Sequence, residues 1–110
     1  MGKQYLTMEN LEKELNKYQV TINFKMDEDR LKLLHSHRAY INELIETNII
    51  EYYSVSMETK RSWMIINALD KQEVEDYLCG SPFFEFWKIE IDELYEYDGQ
   101  TYRLPTLQFN

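Results

Sequence analysis

The 110 residues carry twenty acidic against twelve basic side chains, a formal charge of -8 that repels phosphate backbones and anionic lipid, so neither nucleic acid nor a membrane surface is expected as a partner. A hydrophobic share of 44% supports one core, and three Gly with two Pro argue against a low-complexity linker. No apolar run nears the roughly 20 residues that cross a bilayer, Met1 to Asn10 lacks a secretory apolar segment, and the lone Cys79 excludes an intrachain disulfide, which together predict a cytoplasmic single domain.

Met8, Leu11 and Leu15 fall three and four residues apart, predicting a short helix within an N-terminal extension, residues 1–16. Tyr18, Val20, Ile22 and Phe24 alternate with Gln19, Thr21 and Asn23, the pattern of a strand with one apolar and one polar face. From Asp29 to about Thr47, Leu33, Leu34, Tyr40, Ile41, Leu44 and Ile45 recur at helical spacing. Asp27 or Asp29 can cap that helix at its start, and Asn48 can take the left-handed turn at its end.

Ile49 to Met57 and Arg61 to Ala68 read as two strands joined by a short turn. The second, with Trp63-Met64-Ile65-Ile66, is apolar on both faces, as an interior strand would be. Asp70 with Glu73 makes a capping-box-like start for a second helix carrying Val74, Tyr77 and Leu78, with Gly80 as its stop. After Ser81-Pro82 a final strand is expected over Phe83 to Tyr95, where Trp87, Ile89 and Ile91 alternate with charged residues. Asp98-Gly99 then predicts a turn, and Tyr102, Leu104, Leu107 and Phe109 an apolar hairpin arm, residues 96–110, packing on a partner subunit.

The order strand, helix, strand, strand, helix, strand over residues 17–95 predicts an α+β, ferredoxin-like βαββαβ domain, a four-stranded antiparallel sheet with both helices on one face. The uncovered face would hold Gln19, Thr21 and Asn23 beside apolar residues of strand three and the Phe83, Phe84 and Phe86 cluster. So much aromatic surface predicts burial against a second copy, hence a homodimer.

The segment Ser81-Pro82-Phe83-Phe84-Glu85-Phe86-Trp87-Lys88-Ile89-Glu90-Ile91-Asp92-Glu93-Leu94 resembles the last strand of the muconolactone-isomerase-like proteins. His37-Arg38-Ala39-Tyr40-Ile41 through Asn48-Ile49-Ile50 resembles the YCII-like proteins, in which a helical His precedes a turn and the second strand. The resemblance implies the dimeric α+β barrel superfamily and, if the chain is catalytic, a cofactor-independent isomerase. Ser81 stands where YCII-like proteins commonly carry an Asp proposed to act with the His, and Ser can orient an imidazole without stabilising its charged form. The leading segment Met1 to Lys17 is a second departure, because muconolactone isomerases begin their first strand almost at the initiator Met.

His37 falls inside the apolar stripe of its helix, where a polar ring needs a partner. Two readings stand open: a general acid or base at the end of a pocket, or a core histidine bonded to a backbone carbonyl or to Ser81. Tyr40, one turn on, and Ser81 are the candidate assistants. Tyr52, Tyr53, Trp63 and Asn67, with Asn23 from the first strand, offer hydroxyl, indole and amide groups for a pocket lining, although aromatics on strands also serve as core or dimer contacts. His35 and His37 point to different helical faces, and no Cys pair or four-residue His spacing accompanies them, so neither a metal nor another cofactor is expected.

The functional expectation is a small-molecule-binding protein working as an isomerase or lactone-processing enzyme, with His37 moving a proton next to a carbonyl. The alternative is a noncatalytic dimeric module that senses or carries a small apolar acid.

Overall fold

The computed structural model describes residues 15–99. The expected leading helix and the apolar part of the C-terminal arm lie outside the described residues. Strands β1 (Asn16–Asn23), β2 (Ile50–Ser56), β3 (Arg61–Ala68) and β4 (Lys88–Glu93) form one sheet in the order β2-β3-β1-β4, every neighbouring pair antiparallel. With helices α1 (Glu28–Leu31), α2 (Leu34–Glu46) and α3 (Lys71–Leu78), the order is that of a small α+β, βαββαβ domain, consistent with the ferredoxin-like arrangement. Among the described residues no helix is long and apolar enough to cross a membrane.

Alternation decides which face holds the core. Tyr18, Val20 and Ile22 of β1 pair with Ile66, Met64 and Ser62 of β3, and this face meets Ile41 and Leu44 of α2 and Val74 and Leu78 of α3 in one buried cluster. Both main helices therefore cover the same side of the sheet. The opposite face carries Gln19, Thr21, Tyr52, Ser54, Trp63 and Ile65, so β3 is apolar on both sides, as its sequence predicts.

Local signals end the helices as expected. Asp70 accepts from the Glu73 backbone N–H at 2.9 Å, and the Glu73 carboxylate reaches back to the Leu69 N–H at 2.7 Å. Asn48 sits at φ 66°, and after α2 the Asn48 N–H donates to the Ile45 carbonyl and the Ile49 N–H to that of Leu44, the paired bonds of a Schellman stop. Gly80 serves differently. Its φ is not positive, but a side chain there would run into the Tyr40 ring, so Gly is required by close approach.

Two expectations are corrected. The first helix is not continuous from Asp29. Residues 32 and 33 interrupt it, with the Lys32 and Leu33 N–H groups bonding three residues back to Asp29 and Arg30. That tighter turn ends α1 and leaves Leu31 and Leu34 exposed, so the buried stripe of α2 narrows to His37, Ile41 and Leu44. The final strand begins only at Lys88, because Phe84–Phe86 form a 3-10 turn closed by Phe86 N–H to the Phe83 carbonyl. Phe83 consequently packs on the helix side against His37, and the three phenylalanines do not build the uncovered sheet face. β2 also contains a register shift between Ile50 and Tyr52, which inserts Glu51 as an extra residue against β3.

Candidate functional site

That inserted residue decides which tyrosine faces inward. In unbroken alternation Ile50 and Tyr52 would share a face. With the shift, Tyr53 pairs with core-facing Met64, and Tyr52 pairs with Ile65 on the opposite face. Tyr53 thereby reaches His37 on α2. The imidazole is 5% exposed and held on both nitrogens, by Ser81 Oγ at 2.8 Å from Nδ1 and Tyr53 Oη at 3.1 Å from Nε2. Its ring lies 4.8 Å from that of Phe83 and meets Trp87 edge-on at 5.6 Å.

Ser81 is positioned by the end of α3. Its N–H donates to the Leu78 carbonyl, its carbonyl accepts from the Phe84 N–H, and its hydroxyl oxygen accepts from the Phe83 N–H at 3.0 Å. In either tautomer one ring nitrogen donates and the other accepts, so Ser81 and Tyr53 together satisfy the imidazole. Nearby, Ser62 donates its hydroxyl to the Ser54 carbonyl at 3.0 Å.

Burial lowers the His37 pKa from 6.5 to about 4, with a smaller push from the neighbouring Arg38 charge. The ring is therefore neutral near pH 7. Burial raises the Tyr53 phenol, while Arg38, stacked 5.5 Å from the Tyr53 ring centre, and Ser62 pull it down. Neither group is charged at neutral pH, which suits a low-dielectric site.

These residues sit at the wall of a cavity of about 80 Å³, several times the roughly 10–15 Å³ that one water requires. Phe24, Lys25, Met26 and Arg30 line it from the segment after β1, Val55, Met57 and Ser62 from the hairpin. Phe83, Phe86 and Trp87 close it on the far side. The walls are apolar, the polar exceptions few and convergent, as in sites for small organic molecules. Among the described residues no group of three or more His, Cys, Asp or Glu side chains is placed to hold a metal ion.

The structure thus brings His37, Ser81 and Tyr53 together and separates the other sequence candidates from them. Tyr40 donates its hydroxyl to the Tyr77 carbonyl at 2.8 Å and braces Gly80, outside the cavity lining. Tyr52 and Trp63 border a shallow depression on the uncovered sheet face, Asn23 is exposed at the end of β1, and Asn67 bonds Lys17 and the Asn48 carbonyl. Sequence reasoning missed Arg30, Lys25, Phe83 and Trp87 as lining residues and could not prefer Tyr53 to Tyr52. The one signal available was the aromatic density after Pro82, which was assigned to the strand. No protein-family model matches the chain, and no curated protein matches it either.

Proposed function

We propose that this chain binds a small, largely apolar molecule in the cleft between α2, the β2–β3 hairpin and the Phe83–Trp87 turn. The observation that supports this most directly is a neutral imidazole, fixed on both nitrogens, at the wall of an otherwise apolar cavity. Fixing a polar ring in this way costs desolvation, and a ligand group meeting His37 or Tyr53 would turn that arrangement into recognition. Binding is the first reading because an imidazole with a pKa of about 4 is a weak base for removing a proton from carbon at neutral pH.

A second reading rests on the His37–Ser81 hydrogen bond, which joins the two positions that the YCII-like resemblance pairs. Here His37 would move a proton adjacent to a carbonyl, with Ser81 orienting the ring. In both readings the protein works as a homodimer of the dimeric α+β barrel kind, meeting its second copy through the uncovered face, where Tyr52 is 53% exposed beside Trp63. Analytical ultracentrifugation of the wild type and of Trp63→Arg tests the assembly: a monomer in both removes it.

The test of the site is an NMR titration of the imidazole resonances with a panel of small lactones and unsaturated carboxylic acids, followed by mass spectrometry of the recovered compound. A compound that shifts His37 and returns unchanged supports binding; one that returns isomerised, with turnover abolished in His37→Gln, supports proton transfer. No shift at His37 across the panel would remove the site.

A further inference from the structure

Arg30 lines the cavity wall, and among the described residues its hydrogen bonding is incomplete. Its guanidinium lies 4.3 Å from the centre of the Phe86 ring, and its Nη1 is taken by the Asp27 carboxylate, which also caps α1 by accepting from the Arg30 backbone N–H at 2.8 Å. Asp27 is held below the usual carboxylate range first by that backbone bond, so it stays charged and keeps its grip on Nη1. Nε is buried and, among the described residues, has no partner. Stacking on Phe86 fixes the guanidinium plane. The edge that remains, Nε–H with Nη2–H, is the one that grips a carboxylate with two parallel hydrogen bonds.

Charge around the cavity points the same way. The whole chain carries twenty acidic and twelve basic residues, yet Lys25 and Arg30 line this cavity and no Asp or Glu among the described residues does. The wall of the cleft thus carries two cationic side chains within a chain that is acidic as a whole.

We infer that Arg30 is the anion-recognising residue of this cleft, taking a ligand carboxylate side-on through its Nε edge, with Lys25 adding charge and the apolar body of a monocarboxylate lying against Phe83, Phe86 and Trp87. The inference rests on the cleft being a ligand site, as proposed above. It adds the ligand's charge and the atom that reads it. Asp27 becomes a positioning residue, orienting the guanidinium through Nη1 so that the opposite edge faces the ligand.

The test compares a series of monocarboxylates, from acetate through benzoate to trans-cinnamate, with the matching primary amides, reading both the His37 ring and the Arg30 Nε resonance by NMR. The best acid is expected to bind at least about tenfold tighter than its amide, the difference a charge-assisted hydrogen bond makes. Arg30→Gln should close the gap, bringing the acid-to-amide affinity ratio to about one. Arg30→Lys, which keeps the charge without the paired donors, should lose most of the preference and guards against misreading a folding defect. Acid and amide binding equally, with His37 still shifting, overturns the role of Arg30 and leaves the ligand site standing. No member of either series moving His37 overturns both.

Discussion

Replacing His37 with Gln tests whether the imidazole is buried neutral. In the folded chain its pKa is about 4, against 6.5 for an ordinary His, so between those values the unfolded chain binds a proton that the folded chain refuses. Wild-type stability should be complete in this respect above pH 6.5 and decline as pH falls through the window. At about 1.4 kcal/mol per pKa unit, the loss reaches about 3 kcal/mol below pH 4, a large fraction of the roughly 5–15 kcal/mol that holds a domain together. Gln keeps a donor and an acceptor for Tyr53 and Ser81 but cannot be protonated. Urea unfolding of both proteins at half-unit steps from pH 7.5 to 4 should therefore show the wild type losing more stability than the variant, with the gap opening below pH 6.5. Carboxylates titrate in both and cancel in the difference. Parallel curves, or a His37 ring signal that titrates near 6.5, would refute the reasoning.

Other substitutions test the supports of the site. Ser81→Ala leaves the His37 Nδ1 and the Phe83 N–H without their shared partner and should cost about 1–3 kcal/mol by denaturant unfolding, with a change in the His37 ring shifts. Gly80→Ala drives a methyl group into the Tyr40 ring and should cost about 1–3 kcal/mol; combining it with Tyr40→Leu should recover part of that loss in the thermal midpoint. Asn48→Ala keeps a β-carbon in left-handed backbone at φ 66° but removes the short polar side chain that lets Asn adopt it, and should cost about 1 kcal/mol, whereas Asn48→Gly should stay within a few tenths, a contrast that parallel melts would resolve.

What was legible in the sequence is what neighbours along the chain decide. The period-two alternation from Tyr18 to Ile22, the doubly apolar run Trp63 to Ile66, the Asp70 cap and the Asn48 stop are local, each set by residues within one turn or one pleat, and each stands in the structure. His37 could be singled out because helical geometry alone places it with Ile41 and Leu44, and Ser81 because it directly follows the second helix.

The rest was decided between elements. The extra residue at Glu51 exists only in relation to β3, and it exchanges the faces of Tyr52 and Tyr53 without any mark in β2 itself. The turn at Phe84–Phe86 places Phe83 and Trp87 beside His37, although Trp87, Ile89 and Ile91 have strand-like spacing. Tyr40 lies one turn from His37 along the helix, but Gly80 and the Tyr77 carbonyl hold its ring elsewhere. A one-dimensional pattern tells which face a side chain leaves from. Which partner it meets depends on register, turn geometry and close approach, which only the assembled sheet and helices determine.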